Sequence, residues 1–293
     1  MNLTAEQLCK LSKLAIEAAL DAGELIQSYT GKDLKQQFKA GASSKASEVF
    51  TEVDLKAEKI IIEKLSPSLN TYDLALLAEE STDDGLRHHK QAFWCIDPLD
   101  GTLPFTEGVH GYSVSIALVA KNGSPLIGVI YDPVKNDLYH AIKDQGFFKN
   151  RKKWELKHES EDKTFYFMCD RSFYECTNFP KTKQFLETLS KELKCDQLKV
   201  LHQGGGAMNA MWTLSHKNAC YFKYPKESLG GGSLWDFSAS ACLFHEAKKP
   251  ATNIHGDKLD LNRRDSTFMN YQGILYSSKK EISLVIQDFY ANL

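Results

Sequence analysis

The chain has 293 residues, of which 42% are hydrophobic and 25% charged, and its formal net charge is −2. This length allows one large domain, or two closely packed halves, with ample residues for a core. A protein that binds polymeric nucleic acid through its phosphates is usually basic, so the charge balance disfavours that partner. A small phosphorylated ligand remains compatible with it, because a local metal site can supply positive charge.

The sequence also bears on location. It contains no stretch of about 18 apolar residues, so we expect no stable insertion into a membrane. Acidic residues interrupt the first 30 positions, whereas a secretory signal has a basic start and an unbroken apolar stretch. The seven cysteines are dispersed and include no Cys-x-x-Cys pair. Free thiols in a reducing compartment, and hence a cytoplasmic protein, are the expectation.

Hydrophobic spacing predicts the N-terminal elements. Residues 4–29 carry apolar side chains at three- and four-residue steps and begin with a capping box, which predicts a helix. Residues 32–50 are rich in Lys, Ser and Gly and lack this periodicity, so we predict a mobile loop that closes over the functional site. A second helix is predicted over 52–65, with Pro67 as its stop.

The remaining elements are strands at first, and then alternating strands and helices. Asn122-Gly123 between two alternating segments predicts a β-hairpin. The predicted strands are Leu74–Ala78, Phe93–Ile96, 112–120, 125–131, 138–142, Phe165–Cys169, 198–202, Ala219–Tyr224 and Gly273–Ser277, and the later helices are 181–193, 207–216 and 234–247. This order predicts a layered α/β (α+β) architecture with two halves, 1–155 and 156–293.

The most informative segment is 97–102, Asp-Pro-Leu-Asp-Gly-Thr, which follows an apolar strand. The proline fixes its own φ angle and favours a turn, so the carboxylates of Asp97 and Asp100 can converge on one point. Gly101 and Thr102 then lie at a potential helix N-terminus, where backbone N–H groups point outward and can bind phosphate oxygens.

Two further acids end separate elements. Glu79 follows the apolar run Leu76–Ala78, and Asp236 follows a Gly-rich turn at a predicted helix start. A single acid at such a position is most often a cap or a turn residue. Three acidic clusters are better explained by bound cations, since clustered carboxylates repel one another. Mg²⁺ prefers oxygen ligands and can stabilise phosphoryl transfer, whereas the absence of a His-rich cluster argues against zinc.

At these residues the sequence resembles the lithium-sensitive Mg²⁺ phosphatase superfamily, which includes inositol monophosphatases, fructose-1,6-bisphosphatases and CysQ-type 3'(2'),5'-bisphosphate nucleotidases. The resemblance extends over nearly the whole chain. Its motifs are Thr-x-x-Asp at 51–54, Glu-Glu-Ser at 79–81, Asp-Pro-[Leu/Ile]-Asp-Gly-Thr at 97–102 and Trp-Asp at 235–236. It implies an inositol monophosphatase-like αβαβα sandwich and a hydrolase inhibited by Li⁺.

The resemblance also implies the metal ligands. Glu79 and Asp97, with the Leu99 carbonyl group, are expected to hold a first Mg²⁺ ion. A second ion is expected between Asp97, Asp100 and Asp236, and a third, weaker one near Glu79. The site would therefore contain two or three ions, all bound through oxygen.

The catalytic roles are implied in the same way. Asp54 and Thr102 are expected to orient or deprotonate the attacking water, with Glu79 as a third catalytic residue. The N–H groups of Gly101 and Thr102 are expected to bind the phosphate. For Glu80, a structural role and a role behind the metal ligands are both open.

The expected substrate depends on the C-terminal half. Residues 221–225 resemble a segment of bisphosphate nucleotidases, and 256–270 resembles the CysQ ending. Adenosine 3',5'-bisphosphate, hydrolysed to AMP and phosphate, is therefore the leading substrate. The alternatives are an inositol or sugar phosphate, or a non-catalytic regulatory protein on the same fold. The predicted substrate contacts are Gly205, Gly206, Lys223 and Arg264, with Lys226 and Arg263 as further cations for a second phosphate.

Three segments depart from the family pattern, and one of them, 246–249, is Glu-Ala-Lys-Lys where relatives usually have Glu-Ala-Gly-Gly. Residues 204–207 are Gly-Gly-Gly-Ala where relatives often have Gly-Ser, which removes a hydroxyl group that would contact substrate. Residues 237–240, Phe-Ser-Ala-Ser, follow the Trp-Asp motif where relatives have x-Ala-Ala-Gly. Relatives are monomers or dimers, so both a monomer and a homodimer are expected alternatives.

Overall fold

The computed structural model describes residues 3–31, 37–38, 49–50, 52–156 and 163–293. Within these residues the helices are α1 (Ala5–Tyr29), α2 (Glu52–Thr71), α3 (Thr102–Thr106), α4 (Phe179–Glu192), α5 (Gly206–Ser215), α6 (Leu234–Glu246) and α7 (Lys280–Ala291). Two short 3₁₀ turns cover Leu86–His88 and Arg171–Glu175. No helix of the described part is long and apolar enough to cross a membrane.

The strands of the described residues form two mixed sheets and a two-stranded ribbon. They are β1 (Gln37–Phe38), β2 (Val49–Phe50), β3 (Leu74–Ala78), β4 (Ala92–Asp100), β5 (Ser113–Ala120), β6 (Pro125–Asp132), β7 (Asp137–Ile142), β8 (Gly146–Lys149), β9 (Lys152–Lys153), β10 (Thr164–Met168), β11 (Gln197–Leu201), β12 (Ala219–Lys223), β13 (Ala251–Thr252) and β14 (Ile274–Ser277). The larger sheet has the order β3-β4-β5-β6-β7-β8-β9, and only its β3–β4 pair is parallel among the pairs described. The smaller has the order β11-β10-β12-β14-β13, with β10 parallel to both of its neighbours.

Helices and sheets alternate in layers. Helices α1 and α2 pack on one face of the larger sheet, and α5 and α6 lie between the two sheets. Helices α4 and α7 cover the outer face of the smaller sheet. The layers confirm the predicted α/β class and the αβαβα sandwich. The proposed division at 155 falls between β9 and β10, the last strand of one sheet and the first of the other.

The prediction that Pro67 ends the second helix is wrong. Helix α2 continues to Thr71, although a proline removes one backbone donor and crowds the preceding turn. Side chains support the last turn: the hydroxyl group of Thr71 donates to the Pro67 carbonyl group, and that of Ser68 donates to Leu65. Ser68 also accepts a hydrogen bond from the buried Trp94 indole, which anchors this turn on the larger sheet.

Most other boundaries differ from the predicted ones by one or two residues. The main exception is β4, which extends to Asp100 instead of ending at Ile96. Helix α7 and strands β8, β9 and β13 were not predicted. The predicted closing loop, 32–50, lies outside the described residues except for the antiparallel β1–β2 ribbon.

Candidate active site

The end of β4 carries two carboxylates. The register between β4 and β5 shifts between Asp97 and Asp100, and the Leu99 N–H donates to Asp97 Oδ1 over 3.0 Å. The turn expected at the proline is therefore an irregularity within a continuing strand. It leaves Asp97 and Asp100 only 2% and 3% exposed, so both carboxyl groups lie almost out of solvent.

A third acid completes what we call the carboxylate cluster: Asp97, Asp100 and Asp236. One carboxylate oxygen of each lies within 4.8 Å of the other two. Asp236 occupies the first turn of α6, where its Oδ2 accepts the N–H of Ser233 in a capping box. Asp236 is thus both a helix cap and a member of the cluster, so the two interpretations of this residue do not exclude each other.

Glu79 lies beside the cluster. Its N–H donates to the Ile96 carbonyl group over 3.1 Å, which continues the pairing of β3 with β4. After burial, the charge of its carboxyl group is the next cause of the raised pKa of Asp97, so the two carboxyl groups lie close together. The structure therefore brings together all four acids predicted as metal ligands.

Glu58, on α2, supports the turn after Glu79 and was missed in the sequence. Its Oε2 accepts the N–H of Glu80 over 2.8 Å, and its Oε1 accepts the hydroxyl group of Ser81. Glu58 is 5% exposed. The available signal was its position one helical turn after Asp54, which places both acids on the same face of the helix.

The pKa values of the cluster are raised. Burial, followed by the charges of Glu79 and Asp100, raises the pKa of Asp97 well above its usual range. Burial and the charge of Asp236 raise the pKa of Asp100 to about 8. Desolvation raises the pKa of Asp236 to about 6 despite the opposing charge of Lys223. Crowded carboxylates with only oxygen donors fit Mg²⁺, which relieves their mutual repulsion.

Gly205 and Gly206 lie against Asp100. The N–H groups of Gly206 and Ala207, at the start of α5, donate to Asp100 Oδ1 and Oδ2 over 2.8 and 2.9 Å. A β-carbon at position 205 would lie 2.5 Å from each of these oxygens. The missing side chain therefore lets Asp100 dock on a helix N-terminus, where partial positive charge favours a carboxylate. The predicted substrate contact of these glycines stays a prediction.

The structure brings together Asp54 and Thr102, the two residues expected to orient or deprotonate the attacking water. The Thr102 hydroxyl group lies 3.0 Å from Asp54 Oδ1 and 3.2 Å from the Leu99 carbonyl oxygen. Asp54 is 1% exposed, in the first turn of α2. Gly101 precedes Thr102 with φ +86°, and a β-carbon there would lie 2.8 Å from the Gly111 carbonyl oxygen. Glycine is thus required at the turn that delivers Thr102 to Asp54.

Lys223 lies close to the cluster. Its ammonium group donates to Asp170 Oδ2 over 2.5 Å and to the Gly231 carbonyl oxygen over 3.0 Å. Burial raises the pKa of Asp236, and the positive charge of Lys223 offsets part of this rise. Burial and the charge of Lys223 also lower the pKa of Lys226, so a second cation lies near. Lys223 therefore lies near the cluster, with its Nζ 5.2 Å from the ring centre of Phe237, and Lys226 lies near Lys223.

The predicted substrate contacts of Arg264 and Arg263 stay predictions. Both line a cavity of about 540 Å³ together with Lys121. The Lys121 N–H donates to the Gln91 carbonyl group, next to the first residue of β4, whereas Asp100 is the last. The nine residues of β4 span roughly 26 Å. The Arg263 side chain extends away from this end, since its Nη1 donates to the Phe268 carbonyl group, and Phe268 pairs with Ser233, the N-cap of the helix that carries Asp236.

Comparison with known proteins agrees with this geometry. Residues 7–292 match the profile of the inositol monophosphatase family. The chain belongs to this family. Its members are phosphatases that act on small phosphorylated molecules, which supports a phosphoric monoester hydrolase as the class of this chain.

Several relatives show how far the similarity extends. The chain is 26% identical to inositol monophosphatase 1 of Saccharomyces cerevisiae over 302 residues, which cover 97% of this chain and 95% of the relative. It is 25% identical to Nus factor SuhB of Vibrio cholerae, covering 95% of each. It is 26% identical to 3'(2'),5'-bisphosphate nucleotidase CysQ of Haemophilus influenzae, covering 83% and 87%. These identities confirm the superfamily and do not separate its subtypes.

Solved structures support the fold. The SuhB protein of Bartonella henselae superposes with a TM-score of 0.71 at 21% identity, covering 95% of this chain and 97% of that one. An IMPase of Thermotoga maritima gives a TM-score of 0.71 at 20% identity, covering 96% and 98%. At these identities the likeness concerns the fold alone.

Proposed function

We propose that this protein is a Mg²⁺-dependent phosphomonoesterase whose leading substrate is adenosine 3',5'-bisphosphate, hydrolysed to AMP and phosphate. The carboxylate cluster is the observation that supports the reaction class most strongly. Its oxygens lie within 4.8 Å of one another, and burial raises the pKa of its members. A buried group of acids with these properties favours bound cations, and oxygen donors favour Mg²⁺ among them.

The ligands follow from the positions described above. Glu79 and Asp97, with the Leu99 carbonyl group, would hold one Mg²⁺ ion, and Asp97, Asp100 and Asp236 a second. A third, weaker ion near Glu79 and inhibition by Li⁺ belong to the same proposal. When bound, Mg²⁺ makes a coordinated water more acidic and offsets the charge of the phosphoryl group.

The remaining chemistry belongs to the chain itself. Asp54 is the proposed acceptor of the water proton, and the Thr102 hydroxyl group, 3.0 Å from Asp54 Oδ1, fixes the orientation of that water. The N–H groups of Gly101 and Thr102 are the proposed donors to the phosphate. Because Asp54 is 1% exposed, bulk water is kept away from its carboxylate. No side-chain nucleophile is required.

The substrate is the finer part of the proposal. Lys223 near the cluster, and Lys226 near Lys223, supply positive charge for a second phosphate, which favours a bisphosphorylated nucleotide over an uncharged inositol ring. The similarity to the yeast inositol monophosphatase supports an inositol phosphate as the alternative. The similarity to relatives named Nus factor SuhB supports a non-catalytic role as a third alternative. The complete set of acids in the carboxylate cluster argues against that role.

A substrate panel tests the proposal. Release of phosphate from adenosine 3',5'-bisphosphate, inositol 1-phosphate and fructose 1,6-bisphosphate is measured with Mg²⁺, with EDTA, and with added Li⁺. We expect activity with Mg²⁺, its loss in EDTA, inhibition by Li⁺, and the highest kcat/KM for the nucleotide. If the nucleotide were the poorest of the three, the substrate assignment would be wrong. Without release from any of them, the reaction class would be wrong.

Location and assembly complete the proposal. Cys9, Cys95, Cys169, Cys176, Cys195, Cys220 and Cys242 are all free thiols. This supports a reducing, cytoplasmic environment. A homodimer is proposed beside a monomer, and light scattering on the purified chain distinguishes the two by mass.

A further inference from the structure

Four charged side chains continue outward from the carboxylate cluster. Lys223, whose Nζ lies 5.2 Å from the ring centre of Phe237 next to Asp236, is bound by Asp170, and Arg171 follows Asp170 directly in the chain. Arg171 donates from Nη1 to Glu107 Oε1 over 2.6 Å and from Nη2 to Glu107 Oε2. We call Arg171 and Glu107 the rim pair. It lies between Lys223 on one side and helix α3 on the other.

The rim pair lies near the expected phosphate position. Glu107 directly follows α3, which begins at Thr102, so five residues at 1.5 Å each place Glu107 roughly 8 Å along the helix from Thr102. Arg171 comes three residues after β10, a strand of the smaller sheet, whereas α3 follows β4 of the larger one. The pair therefore joins the two sheets around the edge of the carboxylate cluster, with Thr102 at one end of the arc and Asp236 at the other.

The chemistry of the rim pair suits an exchange of anions. The side chains of Arg171 and Glu107 are 35% and 39% exposed, and ion pairs exposed to this degree contribute little to folding stability. A guanidinium group that binds both oxygens of a carboxylate presents the same pair of donors to a phosphate. Glu107 thus holds Arg171 in a position and orientation in which an incoming phosphate can replace the carboxylate.

We propose that Arg171 determines specificity by exchanging Glu107 for the second, non-reacting phosphate of the substrate. This inference rests on the proposed phosphomonoesterase function. The scissile phosphate lies at the carboxylate cluster, and the other phosphate meets the arc formed by Lys223 and Arg171. Substrates that carry a second phosphate about one sugar ring away then gain a bidentate contact that monophosphates lack. Sequence patterns missed Arg171 because its partner lies 64 positions away.

The test compares two matched substrates in the full-length enzyme with Mg²⁺. Adenosine 3',5'-bisphosphate and adenosine 3'-monophosphate share the reacting phosphate, and only the first carries the second phosphate. We expect R171Q to lower the ratio of their kcat/KM values, bisphosphate over monophosphate, roughly 10- to 100-fold, the usual weight of a charge-assisted hydrogen bond. R171K keeps the positive charge and loses the bidentate guanidinium group, so its ratio of kcat/KM values should lie between those of wild type and R171Q. E107Q, which releases Arg171, should lower KM for the bisphosphate.

The matched control is K149Q. Lys149 also pairs with a carboxylate, that of Asp137 at 2.8 Å, but it lies on β8, four strands away from β4 in the larger sheet. It should leave the ratio at the wild-type value. An R171Q ratio equal to that of wild type, or an equal loss on both substrates, would overturn the role of Arg171. Failure of wild type to hydrolyse either substrate would instead overturn the proposed function, and this inference with it.

Discussion

Buried charge has different surroundings at the two ends of β4. At the C-terminal end lies the carboxylate cluster, whose members repel one another and have raised pKa values. Near its start lies Arg87, which is 2% exposed and fully engaged. Arg87 donates to Asp83 over 2.8 Å, to Asn262 over 2.7 Å and to the Arg263 carbonyl group over 2.7 Å. The carboxylate cluster therefore carries like charges that repel one another, whereas the charge of Arg87 is matched by its hydrogen-bond acceptors.

The difference separates function from structure. A buried charge with complete partners costs little to keep, and removing one partner exposes the full desolvation penalty. Buried acids that repel one another reduce the stability of the chain unless a ligand of opposite charge arrives. Perturbed carboxyl groups in a cleft are for this reason candidates for chemistry, while Arg87 is a support for the sheet edge.

The largest effect on activity is expected from a substitution in the carboxylate cluster. D97N removes the carboxylate proposed to serve two metal ions, so the Mg²⁺-dependent rate of phosphate release should fall at least about 100-fold. The metal-free variant should be as stable as wild type or more so, because one repelling charge is gone. D265N, in the cavity that Lys121 lines, should keep the wild-type rate. An unchanged rate in D97N would refute the metal assignment.

A substitution of Arg87 should do the reverse and lower the stability of the fold without changing the activity. R87M should destabilise the fold by about 3 kcal/mol, since it leaves the buried partners of the guanidinium group unmatched. The activity per folded molecule should stay the same. Urea unfolding followed by circular dichroism measures the change, with R264M on the exposed part of the same region as the control. Loss of activity without loss of stability would show that the two ends are not separate in this way.

A smaller effect is expected from G205A. The new β-carbon would lie 2.5 Å from both carboxylate oxygens of Asp100, so the side chain must move from the start of α5. A displacement of this size should lower kcat about 10- to 100-fold and raise the Mg²⁺ concentration at half-maximal rate. A metal titration of the rate measures both. Wild-type values would mean that Asp100 works from another position.

The smallest effect is a pH dependence of metal-free stability. The pKa of Asp100 is about 8 and that of Asp236 about 6 in the folded chain, above about 3.9 for an unfolded aspartate. The folded state therefore holds more protons, and the metal-free protein loses stability as pH rises from 4 to 8. Mg²⁺ should raise Tm by several degrees, and more at pH 8 than at pH 6. A D100N variant should show a smaller difference between the two pH values.

Local patterns predicted much of the fold. The apolar spacing of residues 4–29 and the Asn122-Gly123 turn correspond to α1 and the β5–β6 hairpin. Both predictions depend only on residues that are close in sequence, so contacts between distant parts of the chain do not alter them. Helix α2 departs at Pro67, because hydroxyl groups and the packing of Trp94 outweigh the local cost of a proline. Tertiary contacts of that kind are not visible in a helix pattern.

The site shows the same limit. The spacing of Asp97 and Asp100 indicated a metal site from the residues alone, whereas Asp236 joined it through the family resemblance. The substrate contact of Arg264 stays a prediction, because a basic residue near a motif carries no information on where its side chain reaches in the folded chain. Arg171 went unnoticed because its partner, Glu107, comes from the other half of the chain.

Asp100 belongs at once to a strand of the larger sheet and, through two hydrogen bonds, to the first turn of α5 beside the smaller one. A single carboxylate is therefore a joint between the two halves as well as a proposed ligand. A chimaera that takes its C-terminal half from a relative keeps this joint only if the residue at 205 leaves the same room, since a β-carbon there would lie 2.5 Å from both carboxylate oxygens of Asp100. A substrate preference carried by that half can then be transferred without moving the carboxylate.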